Sequence, residues 1–381
     1  MFDIKRIRLT KAIVIVAVLF ISLTFFGCTS SARGWPGAQI EGNKTFVGSI
    51  QGTVFALNTE SGSRLWEWKP TAKQTTGGFL SCGTGGQFRG GMFYAPPVIV
   101  NGLVYVGSYD NKVYVFDADT GGKAINYEWD IGSPIAGGVA VGNGTLFVGS
   151  SKGKLSALNA DSGAVKWEFV TGKEIWATPI VSDGIVYFGS LDHKLYAVDI
   201  ETGNLTLTWD KPFQTGGGIA STALVVDGVV YVGSFDSKFY AVNAGNGTIK
   251  WVFDGAGNWF WSKAVYDNGI IYVGSLDQNV YAIDSGNGTL AWPKPFQASG
   301  SLKSTPVIVD GVLVVASEDG KVYGIDLKTG EEKWQSKDVE AKVFAPLVAS
   351  NGKVYINAQN NRLYVIDGAT GRLNWSVPLS E

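Results

Sequence analysis

A tryptophan-terminated repeat runs along most of the chain and strongly limits the folds open to it. The repeated motif is an apolar-Gly-Ser step, a turn, an apolar run, an Asn or Asp, a Gly and a Trp, and in the last two copies Ala or Asn replaces the Gly of the first step. Successive copies lie 38–42 residues apart after one interval of 63. This period, without 3.6-residue apolar periodicity, predicts propeller blades and excludes helical solenoids. The eight terminal tryptophans are Trp66, Trp129, Trp167, Trp209, Trp251, Trp292, Trp334 and Trp375.

The strands within one repeat follow from its turns and apolar runs. Asp-Gly or Asn-Gly at the first turn favours the positive φ angles of a two-residue hairpin. Runs such as 229–232 and 239–242 are apolar at successive positions, so both faces of each sheet must be covered. The seventh copy predicts strands at residues 306–309, 312–317 and 321–325 and around Trp334.

The segments before the tryptophans resemble the tryptophan-docking motif of quinoprotein-type propellers. Residues 197–203 read Ala-Val-Asp-Ile-Glu-Thr-Gly, and residues 324–334 carry the same motif through to Trp334. The resemblance covers residues from about 35 to 381 and implies that each Trp inserts between its own blade and the next. Asn replaces Thr in two copies, and copies two and four have a longer Gly-to-Trp spacing. We therefore predict an all-β, eight-bladed β-propeller with four antiparallel strands per blade and eight structural tryptophans.

Residues 1–28 have the layout of an export signal. Four basic residues precede an uncharged apolar stretch at 12–26, which is shorter than the roughly 20 residues that span a bilayer. Gly27-Cys28 resembles the end of a lipoprotein signal, although Phe25 and Phe26 stand where Leu and a small residue are usual. We expect a signal at 1–28, lipidation of Cys28, a tether at 29–34 and one propeller domain at 35–381. An uncleaved anchor is the alternative, and Cys82 is either a free thiol or a partner of an unlipidated Cys28.

The sequence lacks the residues that several classes of function require. A net charge of −2, with no long run of either sign, gives no footprint for a nucleic-acid partner. The resemblance raises the hypothesis of a dehydrogenase that uses pyrroloquinoline quinone. Those enzymes carry adjacent cysteines, which this chain lacks. The only histidine, His193, occupies a turn site that other repeats fill with Asn, Gly, Ser or Gln. We predict no cofactor, no metal and no enzyme, and assign the repeated turn Asp residues to turn chemistry.

One repeat column indicates a possible binding site. It lies seven residues before the first hairpin turn, and five of its eight members are aromatic. Because rotation about the propeller axis relates the blades, these side chains are expected to ring one channel mouth, either as a binding platform or as packing between inner strands. Phe93, Trp259 and Phe260 are expected to enlarge the ring, and an insertion at about 71–91, with Phe79, Phe88 and Arg89, to share its face. The column reads Trp35, Tyr94, Ala136, Trp176, Ala220, Trp261, Lys303 and Phe344.

An exported propeller without a catalytic set resembles the lipoproteins of the outer-membrane β-barrel assembly machinery, which scaffold their partners through loops. The resemblance implies a non-catalytic, extracytoplasmic, lipid-anchored scaffold for protein partners at a membrane. A small-molecule or glycan-binding propeller that uses the aromatic ring is the alternative. A quinone-dependent redox enzyme is the third hypothesis. The sequence names neither partner nor ligand.

Overall fold

The computed structural model describes residues 36–69, 92–209 and 211–380, apart from the side chains of residues 125 and 126. These residues belong to one compact unit and form eight four-stranded antiparallel sheets, each with its strands in chain order. The eight-bladed β-propeller is confirmed. None of the described residues lies in a helix long and apolar enough to cross a membrane. Cys28, Trp35, Phe79, Cys82, Phe88, Arg89 and the insertion at 71–91 fall outside the described residues.

The blades are numbered in chain order, with four consecutive strands in each. Blades one to four contain β1 (Ala38–Glu41), β2 (Lys44–Gly48), β3 (Val54–Asn58), β4 (Arg64–Trp68), β5 (Val98–Val100), β6 (Leu103–Gly107), β7 (Lys112–Asp117), β8 (Lys123–Asp130), β9 (Val139–Gly142), β10 (Thr145–Gly149), β11 (Lys154–Asn159), β12 (Val165–Val170), β13 (Ile180–Ser182), β14 (Ile185–Ser190), β15 (Lys194–Asp199) and β16 (Phe213–Gln214). Blades five to eight contain β17 (Leu224–Val226), β18 (Val229–Gly233), β19 (Phe239–Asn243), β20 (Ile249–Phe253), β21 (Val265–Asp267), β22 (Ile270–Gly274), β23 (Asn279–Asp284), β24 (Phe296–Gln297), β25 (Val307–Val309), β26 (Val312–Ala316), β27 (Val322–Asp326), β28 (Glu332–Ser336), β29 (Val348–Ser350), β30 (Lys353–Ala358), β31 (Arg362–Asp367) and β32 (Leu373–Pro378).

The first hairpin of each unit follows the turn chemistry of the sequence. In blade seven, Val309 pairs with Val312 across a two-residue loop. Asp310 and Gly311 in that loop have φ angles of 48° and 75°. Both values lie in the left-handed region, which Gly adopts freely and Asp tolerates better than most residues. The strands of this blade agree with those predicted to within a residue or so at each end.

The outer strands of blades four and six differ from the expectation that the terminal tryptophan lies in the fourth strand. β16 and β24 have two residues each and follow Trp209 and Trp292 instead of containing them. Pro212 and Pro295 immediately precede these short strands. Proline has no N–H to donate to a strand ladder, so the pairing cannot continue through these positions. Both sheets nevertheless retain four strands.

Each docking tryptophan lies against a glycine of the next blade. A Cβ atom added to Gly247 would lie 2.8 Å from the ring of Trp209, so only glycine fits beneath the indole. The Trp209 Nε1–H also donates to the Ala244 carbonyl at 2.8 Å. The series closes on itself, because the Trp375 ring lies 2.8 Å from a Cβ placed on Gly62 of blade one. Blade eight therefore meets blade one through the contact used between the other blades, without a borrowed strand.

Apolar side chains of neighbouring sheets fill the spaces between blades. Tyr231 of β18 and Ile271 of β22, for example, belong to one buried cluster between blades five and six. Phe55 of β3 and Tyr355 of β30 share the cluster between blades one and eight. Burial raises the pKa of Tyr355 to about 12. Coverage on both faces accounts for the uninterrupted apolar runs in the inner strands.

Candidate functional site

The extended segment before the first strand of each blade presents alternate residues to the channel. In blade four, Ile175 and Ala177 are fully buried, whereas Trp176 between them is 37% exposed. In blade six, Phe260 and Ser262 are buried on either side of the half-buried Trp261. This alternation is the two-residue period of extended backbone. Residues of the predicted column therefore face away from the inter-blade core.

The seven described members of the column line one cavity of about 260 Å³. They come from blades two to eight, one from each, and thus converge from positions far apart in the sequence. We call them the mouth ring. The structure brings together Tyr94, Ala136, Trp176, Ala220, Trp261, Lys303 and Phe344.

Aromatic side chains form a continuous row at one side of the mouth ring. The ring centroids of Trp176 and Trp261, from blades four and six, are 6.2 Å apart. The small Ala220 occupies the mouth-ring position of the intervening blade. Phe235 stacks on Trp261 at 5.4 Å and on Trp259 at 4.4 Å. Trp259 is 42% exposed. Phe235 was missed in the sequence, because it belongs to a turn and not to the repeat column.

Phe93 and Phe260 do not enlarge the ring, contrary to the sequence expectation. Both side chains are completely buried in the clusters between blades. Each directly precedes a mouth-ring residue, and adjacent side chains of an extended segment point to opposite sides. Trp259, two positions before Trp261, is exposed and contributes through its stacking on Phe235.

A second set of residues lines the same cavity two positions after the mouth ring. We call it the inner ring, and it contains three threonines and one lysine. Burial lowers the pKa of Lys263 from its ordinary value. The sequence also marks these positions, because each lies two residues after a member of the repeat column. The inner ring comprises Pro96, Gly138, Thr178, Thr222, Lys263, Thr305 and Pro346.

Lys303 differs from Lys263 in having a carboxylate beside it. Its ammonium lies 3.3 Å from the Glu318 carboxylate and 4.9 Å from the centroid of the Phe344 ring. Glu318 also pairs with Lys342 at 3.4 Å. The single carboxylate of Glu318 is thus shared by two lysines at the mouth and offsets part of their positive charge.

The repeated turn aspartates hold the turns together. The Asp192 carboxylate accepts hydrogen bonds from the Tyr196 hydroxyl at 2.6 Å and the Gly172 N–H at 2.8 Å. Burial and the hydrogen bond from its hydroxyl to Asp192 raise the pKa of Tyr196 well above its ordinary value. His193 follows in the same turn with a φ of 71°. Among the described residues, no three His, Cys, Asp or Glu side chains cluster as potential metal ligands.

Comparisons with curated proteins and solved structures agree with this architecture. The chain is 23% identical over 191 residues to the outer membrane protein assembly factor BamB of Shewanella oneidensis, which covers 46% of this chain and 44% of that protein. It is 31% identical over 121 residues to BamB of Burkholderia pseudomallei, covering 32% of this chain and 31% of that protein. The chain thus spans less than half the length of these curated relatives. A match to a quinohemoprotein alcohol dehydrogenase of Comamonas testosteroni, at 27% identity, covers only 18% of that enzyme.

Two solved structures share the fold. A computationally designed protein, Ika8, superposes with a TM-score of 0.72 at 16% identity, covering 88% of this chain and 97% of that one. BamB from Moraxella catarrhalis superposes with a TM-score of 0.68 at 18% identity, covering 84% and 90%. The family model described as outer membrane protein assembly factor BamB matches residues 28–130, 127–252 and 256–381. This chain therefore belongs to the outer membrane protein assembly factor BamB family, a family of assembly factors and not of enzymes.

Proposed function

We propose that this chain is a non-catalytic scaffold in outer-membrane protein assembly, exported to the cell envelope and anchored by lipid on Cys28. Family membership supports the assembly role, and the sequence of residues 1–28 supports export and anchoring. Protein partners bind, on this proposal, at the face of the propeller that carries the mouth ring. No cofactor and no nucleic acid take part.

The partly exposed aromatic row is the observation that carries this proposal. Trp176, Trp261, Phe235 and Trp259 form neighbouring ring contacts across blades four to six. Large aromatic side chains dominate binding energy at protein interfaces, because they cover much apolar area at little cost in side-chain entropy. Contiguous exposed apolar surface is also rare on soluble proteins that have no partner. The row is therefore the expected anchor for a partner.

A pull-down with matched variants tests the proposal. The full chain is purified from native membranes in detergent together with its bound partners. The amount of partner recovered is compared between a double variant, Trp176→Ala with Trp259→Ala, and the control variant Ile249→Ala. Ile249 is an exposed apolar residue on the outer strand β20, away from the channel. We expect the double variant to recover at least about tenfold less partner, since loss of one hot-spot residue costs about 2 kcal/mol or more. Equal recovery with the double variant and with Ile249→Ala would contradict the proposal.

A small molecule or glycan is the second candidate, and the same aromatic row favours it. Partly exposed indoles such as those of Trp176 and Trp259 can stack on sugar rings, which present apolar C–H faces. Saturable quenching of tryptophan fluorescence by sugars, lost in the double variant, would favour this reading. Unchanged fluorescence together with partner recovery in the pull-down would favour the scaffold.

A further inference from the structure

Hydrogen-bond donors converge in the cavity below the mouth ring. The Thr178 hydroxyl oxygen accepts the Gly138 N–H at 2.9 Å, and the Thr222 hydroxyl oxygen accepts the Thr178 N–H at 3.3 Å. Each of these bonds joins neighbouring blades. Because a hydroxyl carries one donor beside its acceptor lone pairs, both threonine protons remain able to donate to a group in the cavity.

Lys263 supplies a positive charge that the cavity does not neutralise. The described residues that line the cavity include no Asp or Glu. Lys263 is half-buried, burial lowers its pKa, and its ammonium forms no ion pair with a carboxylate of the described residues. A buried charge is costly unless it is paired. Glu318 is shared between Lys303 and Lys342 and forms no ion pair with Lys263, so Lys263 is the lysine of the cavity that lacks a carboxylate partner among the described residues. A carboxylate from a ligand would supply that partner with a matching single charge.

We propose that the central cavity binds a carboxylate, which pairs with the Lys263 ammonium and accepts hydrogen bonds from the hydroxyls of Thr178 and Thr222. Trp176 and Trp261 cover the apolar part of the same ligand. A cavity of about 260 Å³ suits a small organic acid or one acidic side chain of a protein partner. The inference deepens the proposed function, because its second source rests on the scaffold having a partner.

Calorimetric titration of the detergent-solubilised full chain tests the charge requirement. The probes are phenylacetate and its neutral isostere phenylacetamide, with a second pair, the capped peptides acetyl-Phe-Glu-amide and acetyl-Phe-Gln-amide. Loss of a charge-assisted hydrogen bond weakens binding by about tenfold to a hundredfold, so the acid of at least one pair must bind at least tenfold more tightly than its neutral counterpart. Binding of phenylacetate alone assigns the site to small acids. Tighter binding of the glutamyl peptide assigns it to a partner's side chain.

Matched variants assign the binding to the cavity. Lys263→Met is expected to lower the affinity for the acid at least tenfold, and Thr222→Val several-fold. Lys328→Met removes an equal charge from the exposed turn between β27 and β28, and it is expected to leave the affinity unchanged within about twofold. Should Lys263→Met fold poorly, Thr222→Val and Thr178→Val carry the test. Equal binding of acid and amide in both pairs, or full affinity in the Lys263 and Thr222 variants, overturns the inference. Partner recovery by a variant that has lost acid binding would leave the scaffold proposal standing on its own.

Discussion

Two tryptophans of blade four allow a direct test of which indoles hold the propeller together and which belong to its mouth. Trp209 is 2% exposed, and Trp176 is 37% exposed. Trp209→Ala leaves an indole-sized cavity against Gly247 and removes the donor from the Ala244 carbonyl. We expect a loss of about 3–5 kcal/mol for the buried indole and about 1 kcal/mol for the hydrogen bond.

Trp176→Ala is expected to cost much less, because the side chain already borders an open cavity. Its removal enlarges that cavity and breaks ring contacts with Trp261, but it creates no new void between sheets. We expect a loss of about 1 kcal/mol or less, close to the range of surface substitutions. The two changes are chemically identical, so their difference reports the surroundings alone.

Urea unfolding, followed by far-ultraviolet circular dichroism, measures both variants against the unsubstituted chain. Trp209→Ala should lower the midpoint severalfold more than Trp176→Ala, with the denaturant slope unchanged in both. Equal losses in the two variants would mean that Trp176 is part of the inter-blade core. The mouth ring would then be packing, and its assignment as a binding surface would fail.

Two further predictions concern anchoring and ring closure. Cys28→Ser should release the mature protein from membrane to soluble fractions, because stable anchoring needs more than one acyl chain and Cys28 is the proposed site of lipidation; retention with an intact N-terminal segment would indicate an uncleaved anchor. Asn357→Leu should cost about 2–4 kcal/mol in urea unfolding, because it leaves the buried Pro36 and Gly48 carbonyls without their donor at 2.6 and 2.9 Å. Asn374→Leu, on the exposed outer strand β32, is the control and should change stability little; equal losses in the two Asn variants would refute the argument.

The repeat made most of the fold predictable from the sequence. The number of repeats gives the number of blades. The first hairpin turn of each blade, Asp310-Gly311 in blade seven, is the reference point from which equivalent residues of the blades are aligned. Rotation about one axis then converts a sequence column into a ring in space, which is why distant residues such as Tyr94 and Phe344 could be expected at one cavity. Local signals that break the repeat were harder to use. Pro212, in particular, moves the fourth strand of blade four beyond Trp209.

The direction in which each side chain points was less predictable than its position along the propeller axis. Trp261 and Phe260 are equally aromatic, and proximity in the sequence suggested one shared role. The two-residue period separates them, since Phe260 packs so closely on Gly233 that a Cβ there would lie 2.3 Å from it. Lys263 faces the cavity for the same reason that Trp261 does. Its importance depends on the absence of a carboxylate among the described residues of the cavity wall, which only the assembled ring reveals.

The contact that closes the ring is built differently from the others at one point. In the repeat alignment, the place of Phe260 is held in blade one by Gly34, whereas every other blade has a bulky apolar residue there. The glycine of the apolar-Gly-Ser step is correspondingly replaced by Asn357 in blade eight. Its amide reaches across to the carbonyls of Pro36 and Gly48 in blade one. The last interface therefore exchanges an apolar contact for hydrogen bonds with defined directions, which fixes how the eighth blade meets the first without a strand shared between them.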